Sequence, residues 1–179
     1  MMQFKIFGSL LLLSIFSSAF AAENSSTQES LTPASYQIRN KKFGDLLRPE
    51  DANSATGTRI VLYPGQPWKC MTWKFNQAAE STYQLQNHFT SKTFAPAASE
   101  KTEQPVTQVP LPKGAGERPS WKFTKLADGT YKITEPKSDK ALTAIKGDGN
   151  TVTIVIAPWE DKADQKWEML KIDPKQLTM

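Results

Sequence analysis

One loop near the carboxyl end of the sequence carries the residue types that a shallow ligand site needs. Trp159 is followed by three carboxylates and an amide, at Glu160, Asp161, Asp164 and Gln165. An exposed indole offers a flat apolar platform, and carboxylate and amide oxygens accept hydrogen bonds from hydroxyl groups. We therefore expect these five side chains to form a carbohydrate-binding site.

A second loop, residues 63–69, places two more aromatic side chains close together along the chain. Tyr63 and Trp68 are its candidate platforms, with fewer polar partners for hydroxyl groups than the first loop has. Single exposed aromatic residues are also common on protein surfaces. The alternative, for Trp68 as for Trp159, is an aromatic side chain that folds back as a lid over the domain.

Residues suited to catalysis or metal binding are scarce. Glycosidase chemistry needs two carboxyl groups facing each other across a cleft, and a surface loop offers little enclosure. One histidine, His88, and one cysteine, Cys70, are too few for most metal centres or nucleophilic triads. Strand alternation would point Cys70 away from the face that holds Trp73, as a structural or surface thiol. The sequence predicts no enzyme, no cofactor and no metal.

The first residues and the charge predict where the protein acts. Lys5, an apolar run at 6–16 and the small-x-small motif Ala19-Phe20-Ala21 are typical of a secretory signal cleaved after residue 21. The alternative is a retained anchor, although the run is shorter than the ~20 residues of a membrane span. Cleavage removes only the charge of Lys5, so the formal net charge falls from +4 to +3. We expect an extracellular protein, a monomer or a small homo-oligomer, without the basic stripe of a nucleic-acid binder.

Three sets of large residues recur along the chain at intervals of 46 to 48 residues. An apolar residue follows each tyrosine of the repeat by eleven positions. The recurring residues are Tyr36, Tyr83 and Tyr131; Trp73, Trp121 and Trp167; and Leu47, Phe94 and Leu142. Twelve short strand-like runs, bounded by Gly, Pro, Asn and Asp, accompany them.

This repetition determines the predicted architecture. One four-stranded unit cannot bury its own apolar face, whereas three units around a pseudo-threefold axis can share one core. The sequence predicts an all-β β-trefoil over residues 35–171, with the recurring residues as core layers. A disordered polar lead-in at 22–34 and a tail at 172–179 would flank this domain.

The segment Gln165-Lys166-Trp167 resembles the Gln-x-Trp repeat of ricin B-type β-trefoil lectins. The other copies, Met71-Thr72-Trp73 and Pro119-Ser120-Trp121, keep the tryptophan and lose the glutamine. The middle of the chain is similar in style to fungal fruiting-body trefoil lectins and to fungal trefoil protease inhibitors. The resemblance implies carbohydrate binding in shallow pockets, one for each repeat.

The resemblance also implies which positions would contact a sugar. The family's acidic residue after the second strand corresponds to Arg48, Ala95 and Thr143. The aromatic residue that ends the third strand is kept as Tyr63 and replaced by Ala157. The Asn before the Gln-x-Trp segment corresponds to Cys70, Arg118 and Asp164. The usual acidic acceptor for sugar hydroxyls is therefore missing from all three repeats.

These observations leave three functions open. The first is a secreted, non-catalytic carbohydrate-binding protein whose partners are glycans. The second is a β-trefoil protease inhibitor that presents a rigid loop, at residues 110–119 or 65–69, to a protease. Proline-rich loops lose little entropy on binding, although they serve equally well as plain connections. The third is a structural or effector module with neither activity.

Overall fold

The computed structural model describes residues 31–99, 102–136, 138–147 and 149–179. The predicted signal peptide and most of the predicted lead-in lie outside these residues. The described part of the chain forms twelve strands: β1 (Ser35–Asn40), β2 (Leu46–Pro49), β3 (Ile60–Tyr63), β4 (Thr72–Ala79), β5 (Thr82–Asn87), β6 (Thr93–Pro96), β7 (Gln104–Val109), β8 (Trp121–Lys125), β9 (Tyr131–Thr134), β10 (Lys140–Lys146), β11 (Val152–Pro158) and β12 (Trp167–Lys171).

Short 3₁₀ turns lie between some of the strands, and one follows β12. They lie at Glu50–Ala52, Lys69–Met71, Ala115–Glu117, Ala163–Gln165 and Pro174–Gln176. Within the described residues, the structure contains no helix with the length and apolar character that crossing a membrane requires.

Six strands close into a barrel, which forms the body of the molecule. The first and last strands of each repeat pair with each other, as β1 with β4, β5 with β8 and β9 with β12. Neighbouring repeats are joined by the pairs β4–β5, β8–β9 and β12–β1. The remaining strands form three antiparallel pairs, β2–β3, β6–β7 and β10–β11. The predicted β-trefoil is confirmed.

The register of the barrel explains the recurring residues. In each repeat the tyrosine lies directly opposite the tryptophan across an antiparallel pair: Tyr36 opposite Trp73, Tyr83 opposite Trp121, and Tyr131 opposite Trp167. All nine recurring residues belong to one buried cluster. Their large apolar area drives the three repeats together, because no single repeat can cover it.

Two of the three core indoles are held by the same hydrogen bond. The Trp73 Nε1 donates to the Leu47 carbonyl at 3.1 Å, and the Trp167 Nε1 donates to the Leu142 carbonyl at 2.9 Å. In the second repeat the buried Trp121 Nε1 has no hydrogen-bond partner among the described residues. The positions of the core residues therefore follow the threefold symmetry in all three repeats, whereas the indole hydrogen bond is present in only two of them.

In two repeats, the asparagine that ends the first strand binds a carbonyl in a distant 3₁₀ turn through its side-chain amide. Asn40 donates to the Asp164 carbonyl at 3.0 Å, and Asn87 donates to the Cys70 carbonyl at 2.9 Å. At the corresponding place in the third repeat stands Glu135, which directly follows β9. Burial raises the pKa of this carboxyl group above its ordinary value.

The structure corrects the local prediction for Cys70. Residues 69–71 form a 3₁₀ turn and β4 begins only at Thr72, so strand alternation does not apply there. The Cys70 side chain is buried, and it packs in a small apolar cluster with Leu46 and Met71. The thiol is therefore structural and not a surface group.

Contacts with the core begin within the segment predicted as a lead-in. Leu31 packs against the core cluster, and its carbonyl accepts a hydrogen bond from the Tyr83 hydroxyl. The Thr32 carbonyl accepts from the Tyr36 hydroxyl at 3.0 Å. Two core tyrosines thus use this segment to satisfy their hydroxyl groups.

Candidate functional site

The loop between β11 and β12 is held in shape by Gln165. The Gln165 side-chain amide donates to the Pro158 carbonyl at 2.7 Å and to the Thr143 hydroxyl at 3.1 Å. Its oxygen accepts from the Glu160 backbone N–H at 2.7 Å. The residue is 2 % exposed. The Gln165 side chain therefore stabilises the loop from its buried side. Its amide nitrogen and its oxygen both already form hydrogen bonds within the protein.

The three carboxylates of this loop are paired with lysines. The pairs are Glu160 with Lys162, Asp161 with Lys166 at 2.9 Å, and Asp164 with Lys42 at 2.9 Å. The Glu160 pair is exposed on both sides, and each of the other two pairs has one exposed partner; ion pairs at the surface contribute only about 0–1 kcal/mol. A ligand hydroxyl can displace such a lysine at small cost, so the carboxylate oxygens remain usable acceptors.

The Trp159 ring does not line the cavity that the same loop helps to form. The Lys132 ammonium lies 4.9 Å from the centroid of the Trp159 ring, so a cation covers one face of the half-buried indole. A concavity of about 410 Å³ is lined by Thr143, Pro158, Glu160 and other residues. The loop thus separates its aromatic platform from its hydrogen-bonding cavity.

The structure brings Tyr63 and Trp68 together in the first repeat. Their ring centroids are 6.0 Å apart and the ring planes are inclined by 30°. Tyr63 ends β3 and is 38 % exposed. The Arg48 guanidinium lies 3.6 Å from the centroid of the Tyr63 ring. These three side chains form a compact aromatic and cationic group beside the β2–β3 pair.

A cavity of about 340 Å³ opens next to this group. It is lined by Arg48, Ala52, Trp68, Cys70, Phe89 and Met179. Four different parts of the chain therefore contribute its walls: β2 with its connection to β3, the segment between β3 and β4, the turn after β5 and the C-terminal segment. We call it the first-repeat cavity.

Backbone pairing fixes the positions of these side chains. Arg48 lies on β2 opposite Val61 of β3. The C-terminal segment runs beside Trp68, because the Thr178 N–H donates to the Pro67 carbonyl at 2.9 Å. The Lys69 N–H donates in turn to the Thr178 carbonyl at 3.1 Å. This pairing clamps the Trp68 loop and brings Met179 to the cavity rim.

Sequence reasoning missed two contributors to this cavity as binding residues. Arg48 is the charged residue of a four-residue strand whose every position is buried, and a charge in an apolar strand was the available signal. Phe89 is 47 % exposed and lies in the turn after β5. An exposed phenylalanine in a tight turn is a weak signal, because isolated surface aromatics are common.

The thiol in the cavity wall is chemically quiet. Burial raises the pKa of Cys70, and the Arg48 guanidinium offsets this shift only in part. The thiolate, which is the reactive form, is therefore disfavoured at neutral pH. Among the residues that the structure describes, no group of three or more His, Cys, Asp and Glu side chains is placed to hold a metal ion.

Neither the protein-family models nor the curated proteins give a match to this sequence. Solved structures do match. The designed threefold-symmetric protein ThreeFoil aligns with a TM-score of 0.69 at 19 % identity, over 77 % of this chain and 99 % of its own. The Rhizoctonia solani agglutinin aligns with a TM-score of 0.68 at 17 % identity, over 80 % of this chain and 98 % of its own.

A third solved structure is the Macrolepiota procera ricin B-like lectin in complex with lactose. It aligns with a TM-score of 0.65 at 16 % identity, over 80 % of this chain and 99 % of that one. At such low identities the likeness speaks to architecture alone. The chain folds as a β-trefoil of the type found in ricin B-like lectins.

Proposed function

We infer that this protein is a secreted, non-catalytic carbohydrate-binding protein. The observation that carries the proposal is the Tyr63–Trp68 aromatic pair, which stands beside the Arg48 guanidinium at the edge of the first-repeat cavity. Apolar walls with a few directed polar groups are the usual composition of a small-ligand site. Aromatic rings contact the C–H face of a sugar, and the polar group orients it.

The Trp159 loop is proposed as a second, weaker contact. Its carboxylates, at Glu160, Asp161 and Asp164, accept hydroxyl groups once the paired lysines move aside. Gln165 keeps the loop in the conformation that presents them. Trp159 does not line the cavity of its own loop, whereas Trp68 lines the first-repeat cavity, and we therefore rank this loop below the first-repeat cavity.

The similarity to lectins supports the proposal at the level of fold. One of the aligned structures is a lectin in complex with lactose, and another is an earthworm lectin in complex with GalNAc. Those proteins bind their sugars on the same architecture. The missing acidic acceptor at Arg48, Ala95 and Thr143 argues that the ligand of this protein differs from theirs.

A glycan array tests carbohydrate binding and ranks the two sites. The wild type should bind at least one class of glycan, and Trp68→Ala should weaken that binding about tenfold or more, since stacked aromatic side chains dominate such contacts. Trp159→Ala should have the smaller effect. Phe43→Ala, which truncates a half-buried aromatic residue on another loop, is the matched control and should bind like the wild type.

Absence of binding to any glycan at high micromolar protein concentration would remove the proposal. Secretion is tested separately, by N-terminal sequencing of protein recovered from the culture medium. The expected first residue is Ala22. An intact Met1 in the membrane fraction would instead favour the retained anchor.

The protease-inhibitor alternative has one observation in its favour. In the 110–119 loop, Arg118 Nε donates to the Pro112 carbonyl at 2.9 Å, and its Nη2 lies 3.4 Å from the Lys113 carbonyl. A loop braced from within loses less entropy on binding. Titration against serine, cysteine and aspartic proteases tests it, and no inhibition at stoichiometric excess would eliminate it.

A further inference from the structure

The charge on Arg48 is buried without an adequate partner. The residue is 8 % exposed, and its Nε has no hydrogen-bond partner among the described residues. The nearest carboxylate oxygen belongs to Asp51, 4.0 Å from Nη2, and the Asp51 side chain is 90 % exposed. A buried charge needs a paired and hydrogen-bonded acceptor to offset its desolvation. Asp51 meets this need only weakly, because it lies at the limit of an ion pair and in water.

The other neighbours of Arg48 orient the guanidinium without neutralising it. The Tyr63 ring stacks against it at 3.6 Å. The Cys70 side chain forms a hydrogen bond with it, but burial raises the pKa of this thiol, which favours its neutral form. A guanidinium presents several N–H donors in a planar fork that matches the two oxygens of a carboxylate. The Arg48 guanidinium is thus a preorganised binding group for an anion at the wall of the cavity.

The remaining walls limit the kind of anion. Trp68, Phe89, Ala52 and Met179 are apolar or aromatic, and they offer contact area to a carbon skeleton but few hydrogen bonds. The volume of about 340 Å³ lies at the small end of the usual range for ligand sites. The best occupant is therefore a compact molecule with one acidic group and an apolar face.

We propose that the first-repeat cavity recognises an acidic sugar unit, of the uronic or sialic acid kind. Its carboxylate binds the Arg48 guanidinium, and its C–H face packs on Trp68 and Phe89. This inference rests on the proposed carbohydrate-binding function and assigns its ligand class. A positive charge now stands at the place where the ricin B-type resemblance implies an acidic acceptor, so the preference changes from neutral sugars to acidic ones.

The test compares ligands that differ in the charge of the carboxyl group or in the presence of the sugar ring. Full-length mature protein is titrated by calorimetry or by ligand-observed NMR with D-glucuronate, D-glucose, methyl D-glucuronate and acetate. Glucuronate should bind at least tenfold more tightly than glucose or the methyl ester, as expected for a charge-assisted bidentate pair. Acetate should bind more weakly than glucuronate, because it lacks the ring that packs on Trp68.

Two substitutions with opposite expected effects on glucuronate binding, Arg48→Gln and Asp51→Asn, locate the site, and Arg39→Gln is the control. Arg48→Gln should abolish the preference for glucuronate, while Arg39→Gln, which removes the charge of a more exposed arginine paired with Glu168, should keep it. Asp51→Asn removes the competing carboxylate and should tighten glucuronate binding about two- to fivefold. Asparagine tolerates the positive φ of 52° at this position, so this variant remains informative if Arg48→Gln does not fold.

The outcomes separate the two proposals. Equal binding of glucuronate and glucose overturns the acidic-sugar assignment and leaves carbohydrate binding intact. Acetate that binds as tightly as glucuronate overturns the sugar part of the assignment, and with it the function proposed for this cavity. Glucuronate binding that survives Arg48→Gln, or that Asp51→Asn weakens, places the ligand elsewhere and overturns the inference.

Discussion

Replacing Gln165 by alanine should destabilise the fold. The change removes the two hydrogen bonds that the Gln165 amide donates, to the Pro158 carbonyl and the Thr143 hydroxyl, and the one that it accepts from the Glu160 N–H. A buried polar group that loses its partner costs about 1–3 kcal/mol. Glu160 is exposed, so water can replace part of its bond, and the Thr143 hydroxyl loses a donor but still donates to the Ala141 carbonyl at 2.9 Å. We therefore expect a loss of about 1–3 kcal/mol, as for a single buried polar group that loses its partner.

Urea unfolding followed by tryptophan fluorescence measures this loss. Unfolding free energies of small domains are about 5–15 kcal/mol, so the predicted change should move the midpoint clearly. Gln77→Ala is the matched control, because Gln77 is an exposed glutamine on β4 and should change stability by less than about 0.5 kcal/mol.

The refuting result is specific. If Gln165→Ala costs less than about 0.5 kcal/mol and glycan binding is nevertheless lost, the amide contacts the ligand directly. The bracing function assigned to Gln165 would then be wrong. A large stability loss with binding retained at low temperature would instead support it.

Three further predictions concern the core and the buried titratable groups. Trp73→Phe should cost about 1 kcal/mol more than Trp121→Phe in urea unfolding, because only Trp73 donates to a carbonyl, that of Leu47; equal costs would contradict this. Burial raises the pKa of Glu135, so the folded state binds more protons than the unfolded state just above pH 4.5 and stability falls as pH rises through that window. Glu135→Gln should therefore gain stability relative to the wild type at pH 7 compared with pH 4, and a pH-independent difference would refute the reasoning. Cys70 should react with a disulfide reagent at pH 8 at least tenfold more slowly in the folded protein than in urea, because its thiol is buried with a raised pKa; equal rates would contradict its burial.

The fold could be predicted because its signals are regular along the chain. Large aromatic residues at intervals of 46 to 48 positions identify three equivalent units, and burying them requires the units to share one core. The twelve predicted strand-like runs correspond in number to the twelve strands of the described residues. The error at Cys70 arose because a 3₁₀ turn replaces the first residues of the expected strand, and a tight turn leaves no period-two pattern to detect.

The candidate site could be predicted only where its residues are neighbours in sequence. Tyr63 and Trp68 share one loop, and the structure brings their rings together. The partner of Asp164 is Lys42, which lies 122 positions away, so no local pattern indicated that the carboxylates of the Trp159 loop are already paired. Gln165 was predicted as a ligand contact, because composition alone does not reveal which polar side chains satisfy the backbone.

Sequence alone determined that this protein is a threefold β-trefoil and that its spare aromatic residues lie in loops. The tertiary structure decided which charges face those aromatic residues. Arg48 meets Tyr63, Phe89 and Met179 only because strand pairing and the clamp at Thr178 bring distant segments to one cavity. The physical reason is that burial follows local periodicity, whereas charge pairing depends on the register and closure of the whole barrel.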